Sequence, residues 1–353
     1  MIDLEHLQPM ALGCSVLGAG GGGDTYATML ACRHAIERFG PVALADLDDL
    51  PDEALVMPCG YIGAPVVSLE KVGSGEEGAW LRDGLERLRG APVAALLASE
   101  IGGGNGMQPI SWAARIGLPV ADADGMGRAF PEVPQMTMEI AGIDPNPSVL
   151  TDERGNHLTI NAVDGAWMER IARALSVQFG GSAASTEYTM TAAQARTSTV
   201  RGSVTLAIRI GRALQEADDP LAALQREIGA RVLIRGKITD VERRVTGGFV
   251  RGRAEVEGLG GDRGRSVALE IQNENLVALE GTRLLATVPD IITVLDSETG
   301  EAIHTELLRY GQRVAVIAFP CDPVWRTPGG LALAGPRAFG YDVDYVPVEE
   351  LAA

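Results

Sequence analysis

Two stretches of this 353-residue chain set carboxylates directly against glycines. Glu100-Ile101-Gly102-Gly103-Gly104-Asn105 follows the apolar run 92–98, and Asp122-Ala123-Asp124-Gly125-Met126-Gly127-Arg128 follows the run 118–121. A short continuous apolar run reads as a buried strand, so each stretch leaves a sheet at its end with bare N–H groups beside acids. Glu100, Asp122 and Asp124 are therefore candidate general acids and bases. Asn105 can contact a polar ring, and Arg128 can hold a carboxylate in bidentate fashion. Together with Asp24 and Glu70, the three acids also form a candidate oxygen-ligand set for a divalent metal ion. Plainer roles exist for each: an Asx turn for Asp122 or Asp124, a helix cap for Glu100, an ion-pair partner for Arg128.

A third stretch, Leu17-Gly18-Ala19-Gly20-Gly21-Gly22-Gly23-Asp24-Thr25-Tyr26, has glycine at five of the six positions 18–23. Such a run is costly in backbone entropy and packs almost nothing, which suits a steep turn or a close approach. Gly20, Gly21, Gly22, Gly23 and Asp24 are candidate substrate contacts. Gly18, Gly20 and Gly23 also fit G-x-G-x-x-G, a fingerprint that carries information only between a strand and a helix. The downstream side fits, because Asp24 or Thr25 can cap a helix through Tyr26, Met29, Leu30, Ala31 and Ile36. Upstream, Leu4, Leu7, Met10 or Ala11, and Cys14 recur at helical spacing. A helix, a glycine loop and a second helix are therefore expected. A nucleotide-dependent oxidoreductase would need a strand before Gly18 and an acid such as Asp46 to reach a ribose.

Other reactive residues have bland explanations. Cys59 sits beside Gly60 at a strand end, where a thiol is either a nucleophile or, more commonly, a small hydrophobe. His304 reads as a surface residue. Arg201-Gly202-Ser203 lies near a helix start that can hold an anion, although plain capping by Ser198 or Thr199 is the better account. The four cysteines share no metal-type spacing and read as free thiols, and the four histidines are far apart.

The elements that position these residues divide in two. Strands and helices alternate up to about residue 150, the pattern of an α/β sandwich. Beyond it come helical patterns at 166–179, 198–217 and 220–228. Strand-like segments follow at 232–243, 248–257, 265–272, 282–288, 291–295 and 313–319, which suggests a small β-barrel or sandwich. We read domains at 1–165 and 166–353, with the last residues packing back on the first. A net charge of −17 disfavours nucleic acid and anionic membranes and leaves small molecules as the ligand class. There is no signal-peptide pattern and no apolar run of membrane-spanning length, so the expected address is cytoplasmic. Chains of this size often form homo-oligomers.

The motifs at 17–24, 100–105, 119–132 and 201–203 resemble those of the DUF917 family, also called the S-methyl thiohydantoin desulfurase family. The resemblance continues through Pro289-Asp290-Ile291-Ile292, Leu308-Arg309-Tyr310-Gly311-Gln312-Arg313-Val314 and Gly335-Pro336-Arg337-Ala338-Phe339-Gly340-Tyr341-Asp342, and so covers nearly the whole chain. It implies a three-layer α/β sandwich as N-terminal domain and a β-barrel-like C-terminal domain. It also implies hydrolysis of a hydantoin-like or thiohydantoin-like five-membered ring, with sulfur on the ring carbon replaced by oxygen and thiol or sulfide released. Several members are encoded beside hydantoinase or oxoprolinase subunits, so an accessory, non-catalytic partner of such an enzyme is the alternative. Water attacking the ring carbon needs a base, stabilisation of charge on nitrogen, and in some designs a metal ion.

Overall fold

The computed structural model describes residues 1–63, 67, 71–246 and 249–351. In its first part, α1 (Leu4–Leu17) and α2 (Thr25–Phe39) precede β1 (Leu44–Ala45), β2 (Leu55–Gly63), α3 (Glu77–Arg89), β3 (Val93–Ala98), α4 (Gly103–Ile116) and β4 (Val120–Asp124). Next come α5 (Thr137–Ile140), β5 (Ser148–Thr151), β6 (His157–Ile160), α6 (Gly165–Gln178), β7 (Ser182–Thr186), β8 (Met190–Thr191), α7 (Ala192–Ser198) and β9 (Val200–Arg201). Two helices, α8 (Ser203–Glu216) and α9 (Pro220–Ile228), lead into β10 (Arg231–Thr246), β11 (Phe249–Gly258), β12 (Ser266–Gln272), β13 (Glu274–Glu280), β14 (Arg283–Thr287), β15 (Ile291–Asp296), β16 (Arg313–Phe319) and α10 (Pro328–Ala334).

The architecture is mixed α/β with two sheets. The first has the order β1-β4-β3-β2-β7-β5-β6, parallel from β1 to β2 and antiparallel beyond, with β8 on β2 and β9 on β4. Its strands come from residues 44–201 and so continue past residue 165. Side chains alternate across β2: Met57 and Cys59 join Leu7, Ile110 and Val204 in one core, while Val56 and Ile62 join Met168, Ala195 and Trp325 in another. Helices thus cover both faces, which is why the central strand β3 is apolar throughout.

The second sheet is antiparallel in the order β14-β13-β12-β11-β10-β16-β15 and curls like half a barrel around Ile234, Val256, Leu269, Val294 and Val316. Its curl lets the Asn275 side chain on β13 donate to Ile292 O on β15 at 3.2 Å. Among the described residues no helix is long and apolar enough to cross a membrane.

Three local expectations change. The helix pattern over 198–217 is interrupted: Val200 and Arg201 pair with Asp124 and Ala123, Gly202 adopts φ 73°, and α8 starts at Ser203. That left-handed turn is what glycine permits. The strand β13 is hidden in sequence behind Gln272-Asn273-Glu274-Asn275, which has the composition of a turn. His304 is buried, not at the surface.

Candidate active site

A cavity of about 590 Å³ lies where β2 and β3 end and where α4, the glycine loop and β13 begin. Asp24, Tyr61, Glu100, Asn105, Glu187 and Glu274 line it. The first sheet supplies Tyr61, the turn after β3 supplies Glu100, α4 supplies Asn105, and the second sheet supplies Glu274.

The glycine run is the seam between these parts. α1 stands immediately before it, so the strand required for a dinucleotide loop is missing. Asp46 is likewise engaged elsewhere, capping the amide of Asp48 and pairing with Arg201. The loop turns its carbonyls to the surrounding structure. Gly22 O and Gly23 O accept from the amides of Asn105 and Gly104 at 3.0 and 2.9 Å, capping the start of α4. Ala19 O and Gly20 O accept from Asn275 N and Thr305 N at 2.8 and 2.9 Å, joining the second sheet. A Cβ on Gly21 would lie 2.0 Å from Glu274 Oε1, and one on Gly22 2.1 Å from Gly102 O. Close approach is the reason for glycine at both positions. Asp24 lines the cavity mouth while its carboxylate caps α2 through the amides of Tyr26 and Ala27.

Glu100 is the acid of the β3 turn that reaches the cavity. Its Oε1 accepts from Asn105 Nδ2 at 2.6 Å and its Oε2 from Phe130 N at 3.3 Å. Burial dominates over these bonds and pushes its carboxyl up to about 8. Asn105 is fixed in turn: its Oδ1 accepts from Tyr61 N at 2.8 Å and its Nδ2 donates to Tyr61 O at 3.0 Å.

The acids of the β4 turn lie elsewhere. Neither Asp122 nor Asp124 lines the cavity. Asp124 is fully buried, with Oδ2 accepting from the amides of Ile101, Met126 and Gly127 at 2.8, 3.0 and 2.7 Å; burial pushes its carboxyl up to about 7 despite these bonds. Asp122 binds the amide and hydroxyl of Thr205 in the first turn of α8. Arg128 is buried over the Phe130 ring and donates to the carbonyls of Ala129, Pro289 and Asp290. Glu70 falls outside the described residues. Among the described residues the metal candidates do not gather into a ligand cluster; the group that does, Asp3, Glu5 and His6, is the capping turn of α1. Among the described residues, Asp24, Asp122 and Asp124 spend oxygens on backbone amides and a hydroxyl and do not share a metal position with Glu100.

Two family models match the chain: the S-Me-THD-like N-terminal domain over residues 5–162 and the S-Me-THD-like C-terminal domain over residues 163–348. The chain belongs to the S-Me-THD-like family. A solved relative is an X-ray crystal structure of a protein from Chromobacterium violaceum, a Northeast Structural Genomics Consortium target. It is 27% identical, covers 98% of this chain and 99% of its own, and superposes with a TM-score of 0.81. No curated protein matches.

In this S-Me-THD-like chain, two cavity acids escape sequence reasoning. Glu187, just after β7, is buried, and burial pushes its carboxyl up to about 7 against the opposing hydrogen bond from Ser185. Its Oε1 has no protein partner, and neither has Oε2 of the buried Glu274. Each follows or precedes an uncommon backbone. Among the described residues the non-glycine positions with positive φ are Ala19, Tyr188 and Asn273, at 52°, 51° and 56°. They lie in the glycine loop, next to Glu187 and next to Glu274. Strain of this kind concentrates where side chains must be aimed. Neither acid sits beside a glycine run or in a motif that marks it in the sequence. Cys59 is buried, its Sγ donates to Leu97 O at 3.6 Å, and burial pushes its thiol up, so it behaves as a packed hydrophobe.

Proposed function

We propose that this protein hydrolyses a hydantoin-like or thiohydantoin-like five-membered ring, replacing sulfur on the carbon between the two nitrogens by oxygen. The carrying observation is Glu100: a carboxyl at the inner wall of a ring-sized or larger cavity, held by Asn105 and the Phe130 amide, and pushed up to about 8. A carboxyl of that kind is protonated at neutral pH. It can deliver its proton to the ring nitrogen as water adds to the neighbouring carbon, which is the role general acid catalysis requires. Asn105 has both amide hydrogens committed, so its part is to orient Glu100. Family membership supports the same reading.

The test is release of thiol from an S-alkyl thiohydantoin by the purified protein, compared with Glu100→Gln. We expect turnover by the parent protein and a loss of about 10² to 10⁴-fold in kcat in the variant, the usual size of a general-acid contribution. No release by the parent protein overturns the assignment and favours the accessory-partner alternative.

A further inference from the structure

Arg128 and Glu274 raise a question of charge. Arg128 is a fully buried cation whose hydrogen bonds go only to carbonyls, and its Nη2 has no partner. A buried guanidinium stays charged and needs a counter-charge. The carboxylates that act on it are Glu274, Asp290 and Glu100, with Glu274 the strongest. Asp290 is already engaged by Arg326 at 2.8 Å, by the Tyr345 hydroxyl and by two backbone amides. With Glu100 protonated, Glu274 is the carboxylate left to balance Arg128, whose charge opposes the effect of burial on it. The charged groups facing this pair are Asp124 and Arg128 at Glu100, and Arg128 and Glu306 at Glu274.

The two carboxyls differ in what they leave free for a ligand. Glu100 has both oxygens hydrogen-bonded, whereas Glu274 Oε2 is buried without a partner in the cavity wall. The Glu274 side chain reaches there because Gly21 leaves it room and because Asn273, at φ 56°, turns the chain before it. Building a left-handed non-glycine residue and a Cβ-free contact around one carboxylate is an expensive way to place a residue with no use.

We propose that Glu274, supplied across the seam by the second sheet, is the second catalytic carboxylate of the site and takes the proton from the attacking water. The assignment rests on the reading of Glu100 given above. Water oxygen bonds to the ring carbon, one water proton passes to Glu274, and the C=N electron pair moves to nitrogen, which takes the proton of Glu100. The adduct carries hydroxyl and thioether on one carbon. It collapses as the hydroxyl proton returns to Glu100, C=O forms, the C–S bond breaks, and sulfur leaves with the proton held by Glu274. Ring plus water gives oxo-ring plus thiol, and both carboxyls regain their starting states.

Parent protein, Glu100→Gln, Glu274→Gln, Glu274→Ala and Gly21→Ala would be compared for thiol release from the same S-alkyl thiohydantoin, with thermal unfolding as control. Glu274→Gln should lose at least about 100-fold in kcat with KM changed by less than about 3-fold. Added formate should restore part of the activity of Glu274→Ala, which a purely structural carboxylate would not allow. Gly21→Ala, which displaces Glu274 without removing it, should also lose kcat and keeps the test open if Glu274→Gln fails to fold. An active parent and inactive Glu100→Gln beside an active Glu274→Gln overturns this proposal alone. An inactive parent overturns both readings.

Discussion

The turn after β3 and the turn after β4 are nearly twins in composition, each an apolar strand running into acid and glycine, yet they end in different states. In the first, Glu100 projects into the cavity, and burial pushes its carboxyl up to about 8 against two hydrogen bonds that act the other way. In the second, Asp124 is turned inward, and one oxygen gathers three amides that close the 124–127 turn and tie it to Ile101. The neighbouring Asp122 points to α8. What separates the two turns is how the backbone around each carboxylate is satisfied: a carboxylate that holds its own turn together is not available to a ligand. Proximity to glycine at a strand end therefore says little until the hydrogen bonds are counted.

The harshest way to break this contrast is Asp124→Ala. Three buried amides would lose their acceptor, and leaving buried donors unmade costs about 1–3 kcal/mol each before relaxation, so we expect a loss of about 3–5 kcal/mol in unfolding free energy. Denaturant unfolding measures it directly. Asp124→Asn keeps an oxygen and should lose less. If Asp124→Ala keeps the parent midpoint but loses turnover, Asp124 belongs to the chemistry and the contrast between the turns is wrong.

The pH dependence sharpens the same contrast. Glu100 moves from its ordinary 4.5 up to about 8 on folding, and Asp124 from 3.8 up to about 7. Between those limits the folded chain holds protons that the unfolded chain has released, so the unfolded state binds fewer and stability falls as pH rises. The contribution of each group is fully present below its ordinary value and is lost by the folded one, with a slope of up to about 1.4 kcal/mol per pH unit for each group. Glu187 adds a slope of the same sign. Unfolding measured from pH 5 to 9 should show Glu100→Gln flattening the part between pH 7 and 8, where Asp124 has little left to give. Turnover should fall above about pH 8, as Glu100 loses the proton it donates. A stability profile that rises across this range would refute the burial argument for both acids.

Much of the frame was legible in sequence because it rests on local pattern. The alternation of strands and helices in the first half, the helix at 220–228 and most strands of the second sheet follow from periodicity and from Pro and Gly punctuation. So does the helix before the glycine loop. What was not legible depends on contacts between distant residues. Gln272-Asn273-Glu274-Asn275 looks like a solvated turn, and only its burial against residues 19–21 makes it part of a strand and a cavity wall. Glu187 is hidden for the same reason, since the strand before it, β7, is placed by pairing with β2 and β5. The glycine run was legible as a place of close approach, but not what approaches it: Gly102 on one side and Glu274 on the other.

The smallest expected effect concerns Asp122, the second acid of the β4 turn. Its Oδ1 accepts from Thr205 N at 3.0 Å, so it does for α8 what an N-cap side chain would do, because Gly202 at the cap position has none. Loss of a capping acceptor costs about 1 kcal/mol. Asp122→Ala should therefore lower the unfolding free energy by about that amount, and Asp122→Asn, which keeps an acceptor oxygen, by less. Gly202→Ser cannot be used to restore the cap, since that position needs a left-handed backbone. If Asp122→Ala instead costs ten-fold or more in kcat at unchanged stability, the acid of the β4 strand reaches the reacting ring by a route through the Thr205 hydroxyl. The two turns would then form one site and not two.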